Sequence, residues 1–122
     1  MSLDVWLLSP IEKEKNCHCC GYSHMEHENL FDANITHNLG EMAEKAGIYK
    51  HLWHPEDIDI TVAAQLIEPL TKGLQDLKDR PEFFKQYDAN NGWGTYKDFV
   101  PWVEKYLNAC IENPDATIHI SR

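Results

Sequence analysis

The chain has 122 residues, with 20 acidic side chains against 11 lysines and arginines and a formal charge of −9. That length suits one domain, spanning residues 1–122, which can bury a core without covalent staples. Only Arg80 and Arg122 are arginines, which argues against direct nucleic-acid binding, since its affinity comes largely from Lys and Arg displacing counterions. The acids are scattered along the chain rather than set in one block, so a nucleic-acid decoy is equally disfavoured. No apolar run approaches the roughly 20 residues that cross a bilayer. The start, Met1-Ser2-Leu3-Asp4-Val5-Trp6, lacks the basic and apolar regions of a signal peptide. The expectation is a cytoplasmic protein with no membrane partner.

In chain order, residues 3–8 are apolar and β-favouring, stop at Ser9-Pro10, and predict a strand. Residues 10–29 are polar and rich in Cys and His, and read as a long loop or a metal-binding insertion. Ile35, Leu39, Met42, Ala43 and Ala46 then recur at helical spacing, with Asn34 as N-cap and Gly47 as the stop. Residues 48–53 form a short apolar-aromatic turn before Pro55. Thr61 opens a second long helix with Val62, Leu66, Leu70, Leu74 and Leu77 on one stripe, and Pro69 predicts a kink or break near Glu68.

Pro81 starts a short helix with an aromatic face of Phe83, Phe84 and Tyr87. Residues 90–94, Asn-Asn-Gly-Trp-Gly, make a tight turn. A third long helix runs over 95–112, with Pro101 confined to its first turns, and residues 116–121 alternate as a strand does. Strands at opposite ends of the chain predict an α+β, mainly α fold, in which helices cover a small sheet that pairs the N- and C-terminal strands.

Of four cysteines, Cys110 lies on an apolar helical face and reads as core. Cys17, Cys19 and Cys20 cluster in a chain without an export signal, which points to metal or redox chemistry rather than disulfides. Cys17 and Cys20 form C-x-x-C-G, two thiolates spaced to share one zinc. His24 and His27 are the nearest second pair, although C-x2-C-x3-H-x2-H is tighter than two-pair sites usually are. Zinc held by Cys17, Cys20, His24 and His27 would be structural, because a closed four-ligand site leaves no position for substrate. A redox dithiol lacks the strand-then-helix context, and a solvated polar loop explains the same residues without any metal.

Residues 34–38 place Asn34, Thr36, His37 and Asn38 together at the predicted helix start, where free amides also accept ligands. Capping accounts for Asn34 and Thr36 but leaves His37 and Asn38 unexplained. Trp53 and Trp93 sit in turns, where aromatics either wall a pocket or plug a core. Asn34, Thr36, His37, Asn38, Trp53 and Trp93 are therefore the candidate ligand-binding set. His37, Glu41 and Glu44 share a helical face and could supply a base and an acid, though a solvated face looks the same. His51 and His54 are three apart, with Pro55 disturbing any shared face. Residues 88–92 begin like a calcium loop, but Trp93 occupies the glycine position and Phe99 the bidentate acid's, which rules calcium out.

The segments NITHNL (34–39), AGIY (46–49), LWHP (52–55) and NGWG (91–94) together resemble a family of small uncharacterised proteins from bacteriophages and bacteria, along residues 1–122. Arginine commonly stands in that family where this chain has His54, so a role needing a permanent cation there is in doubt. The resemblance implies one domain and a bacterial or phage-infected host cell, and it brings no mechanism.

Two readings from different classes follow. One is a non-enzymatic small-molecule-binding protein, such as one that sequesters a host signal. The other is a zinc-stabilised interaction module engaging a basic host protein through its acidic surface. A hydrolase using His37 with Glu41, or a metal, stands third, since no nucleophile–base pair or Gly-rich phosphate loop supports it.

Overall fold

A computed structural model describes residues 2–9, 29–89, 92 and 94–122, together with the backbone of 13–17 and 22–26. Its strands are β1 (Ser2–Leu8), β2 (Lys13–Cys17), β3 (Tyr22–Glu26), β4 (Asn29–Thr36) and β5 (Thr117–Ser121). The helices are α1 (Gly40–Lys45), α2 (Tyr49–Trp53), α3 (Ala64–Asp79), α4 (Pro81–Lys85) and α5 (Tyr96–Glu112), with short 3₁₀ turns at His37–Leu39 and Pro55–Ile58. The fold is α+β and mainly α.

Alternation in β1 puts Leu3, Val5 and Leu7 on one face, all fully buried. Burying each such side chain contributes about 1.5–3 kcal/mol, which is why this strand takes the centre of the sheet. Its two antiparallel neighbours are β4 and β5. Leu3 faces Ile35 and Val5 faces Ala33 on one side, while Val5 faces Ile120 and Leu7 faces Ile118 on the other. The termini pair as the alternation predicted.

Helix α5 lies over β4, where Tyr106 stacks on Phe31 at 5.8 Å, and α3 packs along α5. Leu66, Leu70 and Leu77 of α3, on the predicted stripe, and Phe99, Val103 and Cys110 of α5 are fully buried, whereas Ile111 at the end of α5 is exposed. No helix among the described residues is long and apolar enough to cross a membrane.

Several expectations change. Residues 10–29 are not a loop throughout: β2 and β3 pair as a separate two-stranded sheet, with Cys17 opposite Tyr22 and Lys15 opposite His24. Asn34 is not a helix cap but a strand residue of β4, whose amide donates to Asp4 Oδ1 at 2.6 Å and Ser2 Oγ at 2.9 Å on β1. Ile35 and Leu39 suit a helical period, yet Phe31, Ala33 and Ile35 also alternate, and pairing with β1 decides between the two.

Residues 48–53 coil into α2 rather than a bare turn. Thr61 does not open α3; Thr61–Ala63 run along β5, with Ala63 N–H donating to Ala116 O at 2.9 Å and Ile118 N–H to Thr61 O at 3.0 Å. The helix starts at Ala64 and continues through Pro69 without a break. The carbonyl that Pro69 deprives of a donor belongs to exposed Gln65, where water can take the bond.

Candidate functional site

A cleft of about 900 Å³ opens where β4 turns into α1. Asn34, Thr36, His37 and Asn38 form one wall, Gly92 and Gly94 a second, and Asp98 and Trp102 of α5 a third, with Ile35 and Leu39 beneath and Ser2 beside Asn34. Its volume lies within the range of small-molecule pockets, about 300–1,000 Å³.

Each wall has a local cause. Thr36 ends β4 in an extended conformation, and its hydroxyl accepts the Asn38 N–H at 3.3 Å, which turns the chain into the 3₁₀ segment. Gly94, at φ 103°, closes the second wall. A methyl group there would stand 2.9 Å from Thr36 Cγ2 and 3.1 Å from Asn38 Cβ, so the turn is seated directly on the 36–38 corner. Asp88, first residue of the false calcium loop, accepts the Tyr96 N–H at 2.6 Å and so takes up one free amide in the first turn of α5. Trp102 is held from the opposite side, its Nε1 donating 3.0 Å to Asn34 O on β4.

His37 turns inward. Trp53 Nε1 donates to its Nδ1 at 3.2 Å, so the neutral ring carries its proton on Nε2. That Nε2 is buried and has no hydrogen-bond partner among the described residues. A buried donor left unpaired costs about 1–3 kcal/mol. Behind the ring, Trp53 stacks on Tyr49 at 5.3 Å. Tyr49 Oη lies 3.5 Å from His54 Nε2, and His54 Nδ1 stands 3.8 Å from carboxylates of both Glu56 and Asp57. Arg122 closes this group, donating to Trp53 O at 2.7 Å and Glu56 Oε1 at 2.6 Å. Glu56 is held below the usual carboxylate range first by its own backbone N–H and then by Arg122.

The sequence-predicted ligand set thus divides. Asn34, Thr36, His37 and Asn38 line one cleft; Trp53, 1% exposed, stands behind it and orients His37. Trp93 lies outside the described residues. Trp102 and Asp98 are the wall residues that sequence reasoning passed over. Their four-residue spacing on a helix was the available signal, and it was masked by the stronger apolar stripe beside it.

The stripe His37, Glu41 and Glu44 does not converge. Glu41 and Glu44 are exposed, and Glu44 lines a separate cavity of about 440 Å³ with Tyr49, Lys50 and His51. Burial pushes His51 below its ordinary range, and its Nδ1 has no hydrogen-bond partner among the described residues.

The zinc expectation falls where little is described: Cys20 and His27 lie outside the described residues, and Cys17 and His24 are known only by their backbone in β2 and β3. Among the described residues no group of three metal-ligating side chains occurs. No family model, curated protein or solved structure matches the chain.

Proposed function

We propose that this protein binds a small molecule in the cleft between the 34–38 corner, Gly92 and Gly94, and the start of α5, without catalysing a reaction on it. The observation that carries this reading is the convergence of Thr36, His37 and Asn38 with Trp102 around one concavity of about 900 Å³. Polar groups set among an aromatic wall and an apolar floor are the usual composition of a ligand pocket. His37 Nε2–H adds a donor without a partner; it is closed off from solvent in this arrangement, so a ligand acceptor reaches it only with a local shift of the wall.

A thermal-shift screen against a metabolite library tests the reading. A ligand at 100 times its dissociation constant stabilises by about 2.7 kcal/mol, and Trp102→Ala is expected to abolish the shift. A library in which no compound raises Tm, or a shift that survives Trp102→Ala and Asn38→Ala alike, overturns it.

A second reading, a zinc-stabilised arm for engaging a host protein, is favoured by one observation. Among the described residues β2 and β3 form a two-stranded sheet of their own, and an isolated two-stranded hairpin is marginal in water without a further constraint. Zinc on Cys17, Cys20, His24 and His27 would supply that constraint. Metal analysis of the purified protein is expected to find about one equivalent of zinc, lost when Cys17 and Cys20 are both changed to serine. Equal metal content in parent and double variant rejects it.

A further inference from the structure

The ligand's charge class can be read from the third wall. Asp98 is the one charged side chain that lines the cleft among the described residues. It is exposed, accepts from Thr95 Oγ1 at 3.2 Å and makes no ion pair with a described residue. Four residues on, Trp102 occupies the same face of α5, and such i, i+4 pairs stand about 5–6 Å apart at Cβ. The indole N–H is committed to Asn34 O and the half-buried ring meets Tyr106 in a T-shaped contact at 5.6 Å, so what Trp102 contributes to the cleft lining is ring surface without a donor. A π surface and a carboxylate one helical turn apart suit a flat ring carrying a positive substituent: the ring packs on the indole, and the cation meets both Asp98 and the ring's negative face.

Anions find the opposite conditions. No lysine or arginine lines the cleft among the described residues, and the chain as a whole carries −9, so phosphates and carboxylates meet repulsion with no local counter-charge. We infer that the cleft takes an aromatic or heteroaromatic amine in its protonated form, with Asp98 recognising the ammonium and Trp102 the ring. This rests on the binding reading above. Asp98 also stands three residues after Thr95, the N-cap of α5, so a capping role is its alternative; capping, however, would not discriminate between ligands by charge.

Titration calorimetry with three probes that share one ring tests the inference: tryptamine (cation), 3-methylindole (neutral) and indole-3-acetate (anion). Tryptamine is expected to bind about tenfold more tightly than 3-methylindole, and indole-3-acetate more weakly than either. Asp98→Asn is expected to bring tryptamine down to the neutral probe's affinity while leaving 3-methylindole unchanged. Equal or tighter binding of the neutral or anionic probe overturns the inference, as does a preference for tryptamine that persists in Asp98→Asn. Should none of the three bind while a library compound still gives a Trp102-dependent thermal shift, the charge assignment falls and the cleft reading stands. If no compound binds at all, both fall.

Discussion

Gly94 shows how far one residue sets the cleft. At φ 103° any side chain is strained, at a cost of about 1–3 kcal/mol, and a methyl there also overlaps the opposite wall at 2.9 Å from Thr36 Cγ2. Gly92 is the natural control: its φ is 77°, but a methyl there meets nothing within 4 Å. Gly94→Ala is therefore expected to lose about 1–3 kcal/mol more than Gly92→Ala in urea unfolding, the ordinary penalty for overpacking a tight contact. Equal losses would mean that the turn does not rest on residues 36–38. His37 illustrates the same dependence in reverse. Its place in the cleft wall comes from Trp53, a residue 16 positions away that the ligand need never touch.

At the scale of elements, α3 packs against Ile48, in the connection between α1 and α2, through Gly73. Gly73 lies mid-helix, buried, where alanine would ordinarily gain up to about 1 kcal/mol in helix propensity. A methyl at this position, however, would come within 2.5 Å of Ile48 Cγ2. Ile48 is 1% exposed and packed in the core, so the overlap, about 1–3 kcal/mol, outweighs the propensity gain. Gly73→Ala is expected to lower the urea midpoint, and the double variant Gly73→Ala/Ile48→Ala to lose less than the sum of the two single losses, because the two sites are coupled. A stabilised single variant would show that α3 does not seat against Ile48. The elements that bound the cleft depend on just such seating: Tyr96 Oη donates to Leu77 O at 2.7 Å, locking the start of α5 to α3 and with it the position of Asp98 and Trp102.

Across the whole molecule, two buried groups tie stability to alkaline pH. Burial pushes the Cys110 thiol up to about 12, and it holds the Tyr106 phenol well above its ordinary value, with Cys110 as a second cause. In the unfolded chain these groups ionise near about 8.5 and 10. The folded state therefore keeps protons that the unfolded state releases. Their contribution is complete below about pH 8.5 and is lost as pH rises toward 12, at up to about 1.4 kcal/mol per pH unit for each group. Urea stability is expected to fall steeply above pH 9. Tyr106→Phe with Cys110→Ala is expected to flatten that fall relative to the parent; an unchanged slope would place the loss elsewhere. The Tyr106 hydroxyl has no hydrogen-bond partner among the described residues, so removing it leaves none of them newly unpaired.

Much of the architecture follows from local order along the chain. The period of Leu66, Leu70, Leu74 and Leu77 and that of Phe99, Val103 and Cys110 declare two helices and the faces they bury, because a hydrophobic stripe needs only its own spacing to specify a face. The alternation at 3–8 and 116–121 likewise declares two strands, and an unpaired strand must find a partner. Acidity and the clustering of Asn34, Thr36, His37 and Asn38 are equally legible. What local order leaves open is everything that depends on a partner distant in sequence. Residues 31–36 satisfy a strand period and run into a helical one, and only the register against Leu3 and Val5 decides that Asn34 bonds Asp4 instead of capping a helix. Trp53 and Trp102 look alike as letters; the first is buried against Tyr49 and the second is left along the cleft because of how α2 and α5 pack. Tertiary structure alone selected those walls, since side-chain burial is set by contacts between elements and not by spacing within them.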